Sequence, residues 1–202
     1  GIPHAAEEAV VARDLALAEL TGARLHLTQL SCAGSVEQVR QAKARGVKVS
    51  ADVGVNHLCF TEKHVLGFDT NLKLAPPLRR AQDQKALIAG IVDGTIDAIA
   101  TGHAPQSILE KDVTFGRAST GAIGLQTALA VCFEVAQKHQ VPEMTMVERL
   151  TTGPASVLGR PHAGLNKGAQ ANLTVFNPDE EWTVKDTEIV SKSKNSPFLE
   201  IG

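Results

Sequence analysis

A chain of 202 residues with 43% hydrophobic and 21% charged side chains can bury a real core, and its net charge of −2 leaves no basic surplus to neutralise phosphates or anionic lipid. Aromatic residues make up only 3% and tyrosine is absent, which removes the stacking surfaces that single-stranded nucleic acid binding relies on. No run approaches the roughly 20 apolar residues of a membrane span, so neither nucleic acid nor membrane is an expected partner.

The three cysteines, Cys32, Cys59 and Cys132, are odd in number and widely spaced. They suggest neither a disulfide framework nor a cysteine zinc site, and a reducing cytoplasm is the expected home. The start at Gly1-Ile2-Pro3-His4 has no signal-peptide layout and no initiator methionine, and is read as the start of a fragment.

Helical and strand patterns alternate over the first three quarters, the order expected of α/β units around a parallel sheet. A helix is predicted over residues 5–21, with Val10, Val11, Leu15 and Leu17 as its apolar positions and Gly22 as its stop. A strand over 24–30 follows. Ser35-Val36-Glu37-Gln38 has the form of a capping box opening a helix that stops at Gly46. The alternating, β-branched run 47–53 reads as the next strand, with Asn56-His57 just past its end. A helix over 81–92 stops at Asp93-Gly94, and the nearly all-apolar run 96–101 is a further strand ending in Gly102-His103-Ala104-Pro105-Gln106. A charged, glycine-containing loop over 107–121 precedes helical stretches through Gln140 and around 144–150. After Gly153-Pro154, turns lead into an expected antiparallel strand at 171–178.

Side chains at the C-terminal ends of strands carry the chemistry of α/β barrels. The phrases there are Leu25-His26-Leu27-Thr28-Gln29-Leu30-Ser31, Ala51-Asp52-Val53-Gly54-Val55-Asn56-His57-Leu58, Leu74-Ala75-Pro76-Pro77-Leu78-Arg79 and Asp97-Ala98-Ile99-Ala100-Thr101-Gly102-His103-Ala104-Pro105. Together with Gly124-Leu125-Gln126-Thr127-Ala128-Leu129 and Lys194-Asn195-Ser196-Pro197-Phe198, they resemble the dihydroorotases of the amidohydrolase superfamily. The resemblance implies the second half of a TIM-type (β/α) barrel over 1–160 and part of a small β-sandwich appendage over 161–202. The first strand's His-x-His metal motif would lie in the N-terminal half of that barrel.

The resemblance also implies what the strand ends have lost. Gln29 and Asn56 stand where active relatives have metal-binding histidines, and Gly102 stands where they have the aspartate that binds metal and handles the proton of the attacking water. Ala75 and Gln106 stand at substrate-contacting positions. Amide oxygens are poor substitutes for the donors of a catalytic zinc, and glycine supplies neither a ligand nor a base. The expectation is therefore a chain with no catalytic residue, metal ligand or cofactor, that is, not an enzyme. On this expectation it acts as a non-catalytic subunit supporting assembly of aspartate carbamoyltransferase in pyrimidine biosynthesis, with the transferase's catalytic chain and the N-terminal half of its own barrel as partners. Two alternatives stay open: an active zinc dihydroorotase with an atypical site, and a regulatory protein that binds a pyrimidine precursor, for which Arg79 remains a possible anion contact.

Other candidates read as structural. His26, His57 and His103 are taken as hydrogen-bonded residues beside the altered positions, and His4, His64, His139 and His162 as surface residues. Cys32, at a strand end, has no recognisable base to activate it, and Cys59 and Cys132 read as small core side chains.

Overall fold

The computed structural model describes residues 2–160 and 164–199. Helix α1 spans His4–Thr21 and ends where Gly22 turns left-handed (φ 68°) and donates its N–H to Ala18 O at 2.9 Å. Its buried stripe is Val11, Leu15 and Ala18, spaced at four and three residues. Val10 and Leu17, expected on that stripe, are 45% and 52% exposed.

Strand β1 (Leu25–Leu27) leads into α2 (Ala33–Ala44), β2 (Val49–Gly54) and the short helix α3 (Val55–Cys59). The Ser35/Gln38 capping box does not form, because α2 begins three residues earlier, with Cys32 rather than Ser35 at its N-cap. Carboxylates from other helices satisfy that end instead. Glu7 Oε1 accepts the N–H groups of Ser31 (2.9 Å) and Cys32 (3.1 Å), and Asp83 Oδ1 accepts that of Ala33 (2.9 Å).

Two 3₁₀ turns (Glu62–Gly67 and Thr70–Leu72) and an extended stretch with a cis Ala75–Pro76 bond connect α3 to α4 (Ala81–Asp93). Strand β3 (Ala98–Ala100) follows. The single turn α5 (Ile108–Lys111) then precedes α6 (Ala128–His139), α7 (Glu143–Leu150) and α8 (Thr152–Val157). The three strands pair in parallel in the order β1-β2-β3, with Leu25 opposite Val49 and Asp52 opposite Ala98. This is the α/β architecture with a parallel sheet that the alternation implied.

Side chains alternate across the sheet. Leu27, Val49, Ala51 and Val53 face the helices and join Val36, Val39, Leu87, Ile91 and Met146 in the core. His26, Ser50 and Asp52 occupy the opposite, polar face, joined by His26 Nδ1 to Ser50 Oγ (2.8 Å) and His26 Nε2 to Asp52 (2.9 Å). Among the described residues β1 and β3 each keep one unpaired edge.

The described part of the expected appendage, 164–199, carries a 3₁₀ turn at Asp186–Glu188 and no strand. Over the expected strand the chain runs without a ladder, and Leu173 and Val175 are exposed. Phe176 alone finds an aromatic neighbour there, its ring 5.0 Å from that of Phe133. His162 lies outside the described residues.

Candidate functional site at the strand ends

The C-terminal ends of β1, β2 and β3 converge on a cavity of about 110 Å³ whose lining includes Gln29, Gly54, Asn56, His57, Ala75 and Gly102. Four of the five singled-out positions thus meet at one place. Gln106 does not line it: its amide nitrogen donates to Thr120 O at 3.0 Å and so fastens the rim.

Asp52 builds this end of the sheet. Its carboxylate accepts the Gln29 N–H (2.7 Å), the Thr28 hydroxyl (3.0 Å) and a bond from His26 (2.9 Å). Those bonds hold Gln29 in a left-handed conformation (φ 55°), which non-glycine residues seldom adopt. The result places the Gln29 side chain at the cavity: a Cβ on Gly54 would lie 3.7 Å from its Oε1, and one on Gly102 3.9 Å from the same atom. Sequence reasoning passed over Asp52. Its signal was alternation, which put a carboxylate on the polar face one register step from the strand end.

His57, expected to be structural, lies in the cavity wall. Its Nε2 is 3.0 Å from Pro76 O, and since a carbonyl only accepts, Nε2 carries the proton and Nδ1 is a bare acceptor. A Cβ on Gly54 would sit 3.2 Å from that Nδ1. Both Nδ1 of His57 and Oδ1 of Asn56 are buried without a hydrogen-bond partner. Burial pushes the His57 imidazole below its ordinary value of 6.5, keeping it neutral.

Other candidates are absorbed by structure. Arg79, the possible anion contact, is buried and engaged: its guanidinium donates to Ser31 Oγ (3.0 Å) and Ile2 O (2.5 Å) and pairs with Glu7 at 3.6 Å. Ser31 in turn donates its hydroxyl to Glu7. His103 Nδ1 accepts the N–H groups of Gly124 (3.2 Å) and Leu125 (3.3 Å), the structural role expected of it. His4 and His64 are not bare surface residues: His4 pairs with Asp83 at 2.9 Å, and His64 caps the Thr61 turn and packs edge-on against Phe60. Burial pushes the thiols of Cys32, Cys59 and Cys132 up to about 12, so none is a ready nucleophile near neutrality.

A larger cleft of about 480 Å³ opens at the opposite, N-terminal ends of the strands, lined in part by Arg24, Asp97 and Arg149. Its charges are already committed. Arg24 donates to the Val157 carbonyl (3.2 Å), Arg149 to that of Ile91 (3.1 Å), and Asp97 takes Lys43 at 2.8 Å. The smaller cavity, where four of the five singled-out positions meet, is the better candidate.

The chain is similar to curated proteins named dihydroorotase. It is 45% identical over 199 residues to that of Geotalea daltonii and 46% identical over 200 residues to that of Anaeromyxobacter dehalogenans, covering 98% of this chain in each case. The chain spans about half the length of these relatives, 47% and 46% of them. No family model matches it. Among solved structures, the L-hydantoinase (dihydropyrimidinase) of Arthrobacter aurescens superposes with a TM-score of 0.92 at 27% identity, covering 98% of this chain and 46% of that one. The D-hydantoinase of Thermus sp., at 20% identity and a TM-score of 0.82, shares the fold. Structural neighbours of this kind, each matched over under half its length, agree with part of an amidohydrolase barrel.

These relatives correct one expectation. The chain was expected not to be an enzyme, yet curated proteins 45–46% identical to nearly all of it carry an enzyme's name. Loss of ligand types at a few strand ends was too narrow a basis for denying activity.

The zinc implied by the resemblance does not fit the donors present here. Gln29 and Asn56 offer neutral amides, Gly102 offers nothing, and His57 is the one histidine among the residues lining the cavity. Among the described residues no three His, Cys, Asp or Glu side chains gather as a metal site would require. No helix among them is long and apolar enough to cross a membrane.

Proposed function

We propose that this chain belongs to a protein acting at the dihydroorotase step of pyrimidine biosynthesis, the interconversion of carbamoyl aspartate and dihydroorotate, and that the strand-end cavity is this chain's share of the site. The observation that carries the reading is the convergence of Gln29, Asn56, Ala75 and Gly102 on one cavity at the strand ends, within a chain 45% identical to a dihydroorotase along nearly its whole length. On this reading Gln29, Asn56 and Gly102 replace metal ligands, and Ala75 and Gln106 replace substrate contacts. Any metal of the whole protein is then held by residues outside this chain, with the remaining strands supplied by the other half of its own barrel.

We further propose that the whole protein assembles with the catalytic chain of aspartate carbamoyltransferase through loop 107–121. Two features favour that loop. Ile108 and Leu109 project from it, 72% and 83% exposed, and its backbone is fastened from beneath, with Lys111 Nζ donating to Thr70 O (2.8 Å) and Ser119 O (2.9 Å). An apolar pair on a rigid support loses little entropy when it is covered.

Mixing the full-length protein with the transferase, followed by size-exclusion analysis and by measurement of carbamoyl aspartate conversion, tests both statements. A complex at micromolar concentration, weakened by Leu109→Asp, and conversion that depends on this protein are the expected results. Unchanged transferase mass removes the partner; conversion indifferent to this protein removes the dihydroorotase step.

A further inference from the structure

The polar face of the sheet holds an arrangement that the strand-end cavity does not use. His26 Nε2 lies 2.9 Å from Asp52 Oδ2, and His26 Nδ1 lies 2.8 Å from Ser50 Oγ. A carboxylate only accepts, so the ring proton sits on Nε2 and Nδ1 receives the Ser50 hydroxyl. A serine is thus joined to an imidazole base that a carboxylate orients, the relation that activates a hydroxyl as a nucleophile and that is defined by geometry and roles. The carboxylate is itself anchored, by the Gln29 N–H (2.7 Å) and the Thr28 hydroxyl (3.0 Å).

Access distinguishes this group from a closed structural layer. The Asp52 side chain is 10% exposed, but that of His26 is 32% exposed, and Ser50 lines the cleft of about 480 Å³ at the N-terminal ends of the strands. That volume is in the range of small-molecule sites. Ser50 precedes Gly54 on β2 by about 13 Å of strand, so this cleft and the strand-end cavity are separate places. Lys48, Arg24 and Arg149 also line the cleft, the two arginines held by main-chain carbonyls that leave their charge in place, and Lys43 offsets the one acid there, Asp97. Negative charge developing on an acyl oxygen therefore meets a positive surrounding. We infer that Ser50 is the nucleophile of a second, acyl-transfer site that takes small esters from the N-terminal cleft, with His26 as its base. Ser50 Oγ bonds to the ester carbonyl carbon as its proton passes to His26 Nδ1; the bond from that carbon to the alcohol oxygen then breaks, and the alcohol leaves with the proton. Water, deprotonated by the same nitrogen, releases the acid and restores the serine hydroxyl. This site goes beyond the proposed reaction and does not depend on it.

The test treats the full-length protein with diisopropyl fluorophosphate, whose phosphorus bonds to the serine oxygen as fluoride leaves, and with 4-nitrophenyl acetate. The expected result is a phosphoryl adduct located on Ser50 by peptide mass spectrometry, and a saturable release of nitrophenolate that the adduct abolishes. Ser50→Ala should remove both. His26→Gln, whose amide can still bond Asp52, should slow adduct formation at least about a hundredfold, with thermal melting reporting that each variant is folded. Nitrogen-15 shifts of the His26 ring should place its proton on Nε2, and Asp52→Asn, whose amide donates as well as accepts, should mix the two tautomers. An adduct that is absent or sits on another residue, ester release unchanged in Ser50→Ala, labelling indifferent to His26→Gln, or a ring proton on Nδ1 each overturns the inference. Carbamoyl aspartate conversion is measured separately: its absence with Ser50 labelling intact removes the proposed reaction and leaves this site standing.

Discussion

At the scale of single residues, the site depends on two left-handed positions facing each other across the cavity. Gly102, at φ 59°, has open space where a Cβ would go, the nearest atom being Gln29 Oε1 at 3.9 Å, so a side chain there is opposed by backbone conformation and not by collision. Gly102→Val should therefore cost about 1–2 kcal/mol in chemical denaturation, and Gly102→Asp less, since aspartate visits this region more readily. Equal costs for the two would show that something other than φ governs the position. Gln29 lacks glycine's freedom and is held by Asp52 instead. Asp52→Ala should destabilise by about 2–3 kcal/mol, as a nearly buried carboxylate with several donors is lost, and should release the Gln29 amide from the cavity. Denaturation of the variant together with the Gln29 side-chain amide signals in NMR would check both halves of that statement.

At the scale of elements, loop 107–121 should behave as a fixture. Lys111 is 5% exposed and spends its ammonium on backbone carbonyls, while Lys73 ties down Gly116 O (3.0 Å) and Ala118 O (2.6 Å) from the other side. Lys111→Met should raise amide exchange across the loop at least about tenfold while leaving α4 unchanged, because the bonds lost lie outside the core. Helix α8 gives a contrasting case. A Cβ on Gly153 would collide with the Asp97 backbone carbonyl leading into β3, so Gly153→Ala should lower the melting temperature through overpacking of about 1–3 kcal/mol.

How legible these elements were in the sequence follows from where their partners sit. Helices α1, α2 and α4 and the strands announce themselves through local periodicity and through Gly22, Gly46 and Gly94 as stops, all of which turn left-handed. The start of α2 was misread because its free N–H groups are met by Glu7 and Asp83, tens of residues away, and no local box is needed. The same reason hid the site's inner logic. Gln29, Asn56, Ala75 and Gly102 were findable from the strand-end phrases, but His57's bare nitrogen depends on the carbonyl of Pro76 and Gln29's turn on Asp52, and neither contact is local. The exposed run at 171–176 illustrates the opposite error, a local β pattern with no ladder among the described residues to complete it.

At the scale of the whole molecule, the half-buried carboxylate of Glu7 and the buried one of Asp83 join α1, α2 and α4 and make the assembly sensitive to acid. Burial raises the pKa values of Glu7 and Asp83, but hydrogen bonds outweigh it: from Ser31 and Cys32 to Glu7, and from Ala33, His4 and Arg80 to Asp83. Both therefore sit below their ordinary values of 4.5 and 3.8. A depressed folded-state value means that the unfolded chain takes up protons first as pH falls. The stabilisation should thus be full above about pH 5 and fade as pH drops through the ordinary values towards the lowered ones. Denaturation midpoints between pH 7 and 3 should show this fade, and Glu7→Gln should flatten it while lowering stability at pH 7. An unchanged slope in that variant would place the acid sensitivity elsewhere.

Among the described residues the β1-β2-β3 sheet keeps two open edges. Parallel strands hydrogen-bond through backbone atoms alone, so an edge does not discriminate by covalent connection between a strand of its own polypeptide and one offered by another molecule. What can discriminate is the polar face, where His26, Ser50 and Asp52 are already bonded to one another, so that an incoming strand must leave those bonds in place. A strand offered in trans should accordingly pair with either edge as readily as one offered in cis, provided that it leaves the bonds of that face undisturbed.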